Sequence, residues 1–265
     1  MTTANGRALA VVTGASSGIG YELAKQFAQH DFDLVIAAEN AGIAESAREL
    51  STHGGHVTPV QADLSTADGV ATLYEAVIAT GRPVDAVAIN AGIGVGGPFA
   101  ETDLDDDLRL IDLNVRSAVH LAKLVVRDMV GRGAGRVLFT SSIAATQPGP
   151  FMATYNASKS FLLSFSEALR DELKDTGVTV TALMPGPTDT DFFERADITD
   201  TKLGQSKKDD PAQVAEQGFK ALMNGKDHLV AGSVKNKLMA GTAKVTPESV
   251  KAAAHRKMSE PGSAE

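Results

Sequence analysis

The sequence contains no cysteine among its 265 residues. Disulfides, thiolate nucleophiles and thiolate metal sites are therefore excluded. The six histidines are scattered without the spacing that is typical of metal ligands. We therefore expect no bound metal.

The chain is also short of positive charge and of long apolar runs. Its net charge of −8 argues against general nucleic-acid binding, because affinity for phosphates needs clustered Lys and Arg. No apolar stretch reaches the roughly 18 residues that span a bilayer. The N-terminal MTTANGRALAVV lacks the basic region, long apolar run and cleavage site of a secretory signal. These absences favour a cytoplasmic protein with neither nucleic-acid nor membrane partners.

Short apolar runs alternate regularly with longer helical patterns. With 43% apolar residues, the chain is expected to form one large domain. The strands are apolar almost throughout, which suits a parallel sheet buried on both faces. Their alternation with helices predicts an α/β fold with a doubly wound sheet. The predicted strands are 8–13, 33–38, 56–61, 84–89, 135–141, 178–184 and 228–231. The predicted helices cover about 18–30, 41–52, 66–80, 104–130, 152–175 and 211–223.

Three segments near the C-terminus interrupt this alternation. Residues 186–210 are polar and broken by Gly and Pro, which indicates either a surface excursion or a lid. Residues 232–258 are rich in Lys and Ala with helical spacing, and could cover a pocket, contact a neighbouring subunit or form a solvated helix. We expect residues 259–265 to be a disordered tail, and residues 1–258 to form a single domain.

A glycine-rich loop, TGASSGIG, follows the first predicted strand and opens the first helix. Glycines there let backbone amides approach a pyrophosphate at the positive end of a helix. The spacing is Gly-x3-Gly-x-Gly and differs from the usual dinucleotide fingerprint, but the position between strand and helix is the required one. The loop predicts a dinucleotide site formed by Gly14, Ser16, Ser17, Gly18, Ile19 and Gly20.

Glu39 ends the second strand and could accept hydrogen bonds from an adenosine ribose. Its carboxylate would repel a 2′-phosphate, and the sequence places no Arg or Lys beside it or in the glycine loop. We therefore predict NAD or NADP as cofactor, with a preference for NAD. Glu39 could also be a solvated charge, and Asn40 could serve the ribose instead.

Two further turns follow strands. Asp63 and Leu64 come after the third strand, where the carboxylate could bond the adenine edge. Asn90, Ala91 and Gly92 form a small-residue turn after the fourth strand that could approach the cofactor. Either group could equally be an ordinary turn.

The stretch SIAATQPGPFMATYNASK carries the candidate chemistry. Tyr155 and Lys159 are four residues apart on a predicted helix and so share a face. An ammonium beside a phenol favours phenolate, so we expect Lys159 to lower the pKa of Tyr155 from about 10. Ser142, at the end of the neighbouring strand, could hold the same substrate oxygen.

These motifs together resemble the short-chain dehydrogenases/reductases over essentially residues 7–231. The matching features are TGASSGIG at 13–20, Asp63, NAG at 90–92, Asn114, Ser142, YNASK at 155–159 and PGPTDT at 185–190. The resemblance implies a Rossmann-type sheet of about seven parallel strands in one dinucleotide-binding and catalytic domain. It also implies an NAD(P)-dependent oxidoreductase that interconverts a carbonyl and an alcohol.

The resemblance also implies residue roles. Tyr155 would be the acid/base, and Ser142 would orient the substrate oxygen. Lys159 would hold the nicotinamide ribose, next to Tyr155 in the cofactor site. Asn114 would sustain a water-linked proton path to Lys159. The residues expected against the nicotinamide are Pro185, Gly186, Thr188 and Thr190.

A non-catalytic nucleotide sensor or scaffold on the same fold is the alternative, and an epimerase or lyase is a third reading. We expect a hydrophobic substrate, because the predicted pocket segments 93–99, 143–152 and 192–193 are small and apolar. The two long helices favour a homodimer or homotetramer.

Overall fold

The computed structural model describes residues 6–233, 236, 241 and 246–264. A seven-stranded parallel sheet with the strand order β3-β2-β1-β4-β5-β6-β7 runs through the molecule. Its strands are β1 (Ala8–Thr13), β2 (Phe32–Ala38), β3 (Val57–Gln61), β4 (Ala86–Ile89), β5 (Gly135–Thr140), β6 (Val178–Pro185) and β7 (His228–Ala231). The predicted doubly wound α/β fold is confirmed.

Helices cover both faces of the sheet, and each face has its own apolar core. The helices are α1 (Gly18–Gln29), α2 (Ile43–Ser51), α3 (Ala67–Ala79), α4 (Leu104–Ile111), α5 (Ser117–Arg132), α6 (Ala153–Glu172), α7 (Phe192–Arg195), α8 (Pro211–Met223) and α9 (Glu248–Ser259). Central strands such as β2 are buried along their whole length, because side chains on both faces pack under helices.

The order of the strands creates a crevice where β1 lies between β2 and β4. Chain connections leave β1 and β4 toward opposite sides at this point, so the loops after their carboxyl ends separate. Ligands of doubly wound sheets bind in such crevices. The glycine-rich loop after β1 and the Asn90 turn after β4 both lie there.

The prediction of one long helix over residues 104–130 is wrong in one respect. A single π-helical turn, Asp112–Arg116, separates α4 from α5. The sequence has no Gly or Pro at this point to mark the change. The turn contains Asn114, one of the predicted catalytic residues.

Residues 186–210 leave the sheet after β6 and return to it. A backbone bridge between Thr188 and Asp209 closes the base of this excursion, and α7 lies within it. Phe193, which looks exposed in the sequence, is buried against Met152 and Ile198.

The expected disorder of the tail does not match its contacts. The backbone N–H of Gly262 donates to a carboxylate oxygen of Asp200 at 2.6 Å, and that of Ala264 donates to the Asp200 carbonyl at 3.0 Å. Ser259 is 1% exposed. Of the predicted extension 232–258, helix α9 lies within the described residues, whereas residues 234–235, 237–240 and 242–245 lie outside them.

Candidate active site

A cavity of about 960 Å³ opens at the carboxyl ends of β1, β4, β5 and β6. Every residue that the sequence assigns to cofactor binding borders it. These are Gly14, Ser16, Ser17, Gly18, Ile19, Gly20, Glu39, Asn40, Asp63, Leu64, Asn90, Ala91, Gly92, Tyr155, Lys159, Pro185, Gly186, Thr188 and Thr190. Ser142 borders the same cavity, so the loop and the candidate chemistry share one space.

The glycine-rich loop has the shape that a bound pyrophosphate requires. Gly14 and Gly18 have φ angles of +68° and +57°, which side chains disfavour. A Cβ on Gly20 would lie 2.1 Å from the Gly14 carbonyl oxygen. No side chain caps the N-terminus of α1, which leaves its first N–H groups for a ligand. The loop therefore fits a dinucleotide phosphate.

Hydrogen bonds fix the Asn90 turn beside this loop. The Thr13 hydroxyl accepts the backbone N–H groups of Asn90 and Ala91 at 2.9 and 3.0 Å. Thr140 on β5 donates to the Asn90 side-chain oxygen at 3.0 Å. Sequence reasoning missed both threonines, since each reads as an ordinary strand-end residue.

Ser142, Tyr155 and Lys159 meet at the end of β5. The Lys159 ammonium donates to the Thr140 carbonyl at 2.9 Å and lies 5.7 Å from the centre of the Tyr155 ring. The Ser142 hydroxyl accepts the Ala144 N–H at 3.1 Å and donates to the Pro185 carbonyl at 3.3 Å. Lys159 is 5% exposed, whereas Tyr155 is half-buried and borders the cavity.

Burial dominates the charge states of these groups. It raises the pKa of Tyr155 to about 12, and the hydrogen bond with Ser142 opposes that rise only in part. Burial also lowers the pKa of Lys159 to about 8. The expectation that Lys159 lowers the pKa of Tyr155 is therefore wrong for the protein alone, because desolvation penalises both charged forms.

Asn114 is fully enclosed behind the cavity wall. Its side-chain oxygen accepts the Ile93 N–H at 2.9 Å, and its amide donates to the Ile93 carbonyl at 2.9 Å and to Ser158 at 3.0 Å. The carbonyl oxygen of the side chain also lies close to Gly92, where a Cβ would approach it to 3.0 Å. Asn114 thus positions the chain just after β4, and its predicted part in a proton path stays a prediction.

The surroundings of Glu39 differ from the sequence-based expectation. The guanidinium of Arg109 on α4 lies 2.5 Å from a Glu39 carboxylate oxygen and 3.6 Å from one of Asp63. The reasoning that no basic residue accompanies Glu39 is therefore wrong. The tertiary fold brings Arg109 to it from 70 positions away.

A second arginine reaches the glycine-rich loop. Arg195 on α7 donates to the Ser17 hydroxyl at 3.1 Å and pairs with Asp191 at 2.8 Å. Arg195 also borders the cavity. The segment 186–210 therefore lies over the loop and carries a positive charge to it.

The end of the cavity beyond Tyr155 is mainly apolar. The Tyr155 and Phe192 rings lie 5.0 Å apart, and Met152 and Phe193 complete this wall. Of the predicted lining, Phe99 is instead 70% exposed. Helix α9, which the sequence left unassigned, contributes Ala254, His255 and Met258 to the lining.

In the part of the chain that the structure describes, no helix is both long and apolar enough to cross a membrane. The same residues include no group of three or more His, Cys, Asp or Glu side chains suited to a metal ion.

Comparison with known proteins identifies the family. The profile of the short chain dehydrogenase family matches residues 8–200. The chain therefore belongs to the short chain dehydrogenases, and it is an NAD(P)-dependent oxidoreductase. The ketoacyl reductase HetN of Nostoc sp. (strain PCC 7120) is 27% identical over 260 residues, which cover 94% of this chain and 88% of that protein.

Solved structures support the same family assignment. The short-chain dehydrogenase from Sphingobium yanoikuyae in complex with NADPH is 28% identical, with a TM-score of 0.78 over 84% of this chain and 87% of that one. The 3-ketoacyl-(acyl-carrier-protein) reductase from Brucella melitensis complexed with NADH is 25% identical, with a TM-score of 0.77 over 86% of this chain and 98% of that one. Relatives of this chain thus include complexes with either cofactor.

Proposed function

We propose that the protein interconverts a carbonyl and a secondary alcohol, with Tyr155 as the acid/base. The observation that carries this proposal is the shared cavity, which joins the glycine-rich loop to Ser142, Tyr155 and Lys159. When bound, the nicotinamide cofactor supplies or accepts the hydride and carries a positive charge in its oxidised form. The remaining tasks fall to the protein's own side chains.

Tyr155 moves the proton at the substrate oxygen. In reduction its hydroxyl donates to that oxygen, and in oxidation its phenolate accepts the proton. Ser142 holds the same oxygen, and both hydrogen bonds strengthen as negative charge develops there. Because burial raises the pKa of Tyr155 to about 12, the step needs positive charge nearby, and the Lys159 ammonium lies 5.7 Å from the centre of the ring.

The cofactor is held along the crevice by the residues that border it. The glycine-rich loop and the first turn of α1 would bind the pyrophosphate. Glu39, Asn40, Asp63 and Leu64 would hold the adenosine. The Asn90 turn, Lys159 and the 185–190 segment would hold the nicotinamide half.

The preference for NAD over NADP has weaker support than the sequence suggested. A carboxylate at Glu39 favours a ribose hydroxyl over a phosphate, but Arg109 neutralises part of that charge. Relatives are known in complex with NADPH and with NADH. We therefore propose NAD or NADP as the cofactor. The proposed preference for NAD depends on Glu39 alone.

The apolar wall around Tyr155 supports a hydrophobic carbonyl compound as substrate. Aromatic and aliphatic side chains there remove apolar surface from water but pair no charge. A small uncharged molecule therefore fits this wall better than a phosphorylated one.

An apolar stripe supports a homo-oligomer. Leu104, Leu108 and Ile111 share one face of α4 and are 67%, 48% and 43% exposed. Phe161 on α6 is 41% exposed, and Phe99 precedes α4. Clustered exposed apolar side chains of this size are typical of subunit interfaces. We propose that a second copy of the chain covers them, in a homodimer or homotetramer.

The test is a spectrophotometric assay with NADH and NADPH against a panel of apolar ketones. The proposal expects oxidation of the reduced cofactor only when a ketone is present. A protein that binds cofactor in a fluorescence titration but reduces no member of the panel, and oxidises no matching alcohol, would be a nucleotide sensor instead.

A further inference from the structure

Helix α9 presents a buried polar face to the rest of the molecule. Lys251, His255 and Ser259 follow one another at intervals of four residues, so they lie on one side of the helix. They are 8%, 7% and 1% exposed, although the helix is otherwise rich in Lys and Ala. A solvated helix does not bury such residues, because each needs polar partners inside the protein.

The partners of this face lie on the loop that follows Ser142. The Lys251 ammonium donates to the Thr146 carbonyl at 3.0 Å. The Ser259 hydroxyl donates to the Pro150 carbonyl at 2.7 Å. Helix α9 is thus fastened at two points to the loop that carries Ser142 toward Tyr155.

A third contact holds the strained part of that loop. Phe151 has a φ angle of +64°, which is unusual for a bulky side chain. The Arg256 guanidinium lies 4.9 Å from the centre of its ring. The segment 186–210 contacts α9 as well, since the Leu203 N–H donates to the Met258 carbonyl at 2.7 Å. His255 is therefore held in a fixed place relative to the catalytic loop.

The hydrogen bonds of Ser259 define the tautomer of His255. The Ser259 hydroxyl oxygen lies 2.8 Å from the His255 carbonyl, 2.7 Å from the Pro150 carbonyl and 2.9 Å from the imidazole Nδ1. Two carbonyls that can only accept compete for the single hydroxyl proton. This arrangement favours the tautomer in which Nδ1 carries a proton and donates to Ser259, with Nε2 as an acceptor.

Nε2 has no hydrogen-bond partner among the described residues, and His255 borders the cavity. The other α9 residues in the lining, Ala254 and Met258, are apolar, and so is Met152 of the same cavity. Burial lowers the pKa of His255, against the opposing hydrogen bond to Pro150, and so favours the neutral ring. A neutral acceptor in an apolar wall recognises a hydrogen-bond donor and offers nothing to an anion.

We propose that His255 is a specificity-determining residue of the substrate site, and that the substrate is an apolar carbonyl compound carrying a second, remote hydroxyl that donates to Nε2. This proposal rests on the proposed carbonyl reduction and names its substrate class. A site built around a hydrogen-bond partner discriminates strongly against analogues that lack it.

The kinetic test uses cyclohexanone and decalone, each with and without a remote hydroxyl, and each with a carboxylate in its place. Wild type should prefer at least one hydroxylated ketone to its parent. H255F should lose roughly tenfold in kcat/KM for that ketone through KM, while the parent ketone changes less than about twofold. H255Q, whose amide oxygen can accept, should recover part of the loss, and H53F at an exposed histidine should behave as wild type.

Other outcomes would overturn the proposal. A wild-type enzyme that reduces the parent ketones without preferring any hydroxylated one keeps the carbonyl reductase function and excludes the role of His255. A preference for the carboxylated ketones excludes it too, and would point to a cation of the lining. An enzyme that reduces none of the ketones instead contradicts the proposed function itself.

A second measurement needs no turnover and no variant. Long-range proton–nitrogen correlation spectra of the wild-type protein distinguish the two neutral tautomers of a histidine ring. The proposal expects His255 with Nδ1 protonated and Nε2 bare, and the Nε2 signal should shift when a hydroxylated ketone binds the complex with oxidised cofactor. A protonated Nε2 would overturn the proposal even if H255F failed to fold.

Discussion

Lys159 shows how burial sets the charge of a single side chain in this site. It is 5% exposed, its ammonium has the Thr140 carbonyl as a partner, and its pKa falls to about 8. The ordinary value is 10.5, so a substantial share of the molecules carry a neutral lysine in mildly alkaline solution. The positive charge that Lys159 supplies to Tyr155 in the proposed mechanism is therefore sensitive to pH.

This shift predicts a pH-dependent stability. Between pH 8 and pH 10.5 the unfolded chain holds a proton that folded Lys159 has lost, so stability should rise with pH across that window. In K159M this rise should be absent, a difference of at most about 3 kcal/mol. Urea denaturation at several pH values measures it, with K123M at an exposed lysine as control. Equal slopes for wild type and K159M would contradict the lowered pKa.

The Arg109 ion pairs predict a change in cofactor choice. When the Arg109 guanidinium is removed, Glu39 and Asp63 lose a shared cation and repel a 2′-phosphate more strongly. These groups are about half exposed, so we expect R109Q to weaken NADPH binding by only about fivefold and NADH binding by less. Fluorescence titration of each reduced cofactor measures both affinities.

The matched control is R116Q, which removes an exposed arginine paired with Asp112 nearby in the chain. It should leave both affinities unchanged. Equal weakening of NADH and NADPH by R109Q would mean that Arg109 supports the fold of the site without selecting the cofactor.

The sequence reveals those site residues that belong to a short motif. The glycine-rich loop and the pair Tyr155 and Lys159 are readable because each is a short segment with fixed spacing. Arg109 and His255 belong to no such segment. Tertiary packing alone brings Arg109 to Glu39 and His255 to the cavity. The error about the pKa of Tyr155 has the same origin, since spacing shows a neighbouring charge but not the loss of water.

At the scale of elements, the π-helical turn between α4 and α5 places Asn114. The turn adds one residue to the helical repeat, and such turns often occur at functional sites. Asn114 there spans to the Ile93 backbone and to Ser158 on α6. The apolar pattern of 104–130 predicted one continuous helix, because a single π turn leaves no mark in composition.

Substitution of Asn114 should therefore destabilise the fold. N114A removes three hydrogen bonds and leaves the Ile93 N–H and carbonyl without their partner, which we expect to cost about 3 kcal/mol. Urea denaturation measures the loss. R116A on the exposed side of the same turn should change stability by less than about 0.5 kcal/mol. A loss for N114A no larger than that would show that the turn does not depend on this side chain.

The strands were predictable to within about two residues, because buried parallel strands read as apolar runs bounded by turn residues. The ends of the helices were predicted less accurately. The helical pattern of α6 continues to Asp175 in the sequence, whereas the helix ends at Glu172 in the structure. The tail was expected to be disordered from its composition. Its contacts with Asp200 depend on the position of the segment 186–210, which the tail's own residues do not encode.

At the scale of the whole molecule, the sheet brings the loop after β1 and the segment after β5 that contains Ser142 to one cavity. More than 120 residues separate Ser16 from Ser142 in the sequence. Helix α9 and the segment 186–210 both contribute residues to the lining of this cavity. The apolar stripe on α4 and α6 lies on the outer surface, where a second copy of the chain can cover it.

The stripe predicts a change in assembly. Light scattering after gel filtration should give a dimer or tetramer mass for wild type and a smaller mass for L108E/F161E, because buried carboxylates without partners disfavour an interface. Both positions are exposed in the single chain, so the variant should stay folded. I78E, at a 59% exposed position on α3, is the control. A monomeric wild type would contradict the proposed oligomer.

The role of Tyr155 as acid/base is tested most directly by the rate of hydride transfer in Y155F, measured in a single turnover with saturating reduced cofactor and ketone. Removal of the hydroxyl should slow this step by about a thousandfold, while cofactor affinity changes by less than about threefold. A hydride-transfer rate in Y155F close to that of wild type would contradict the account at its centre.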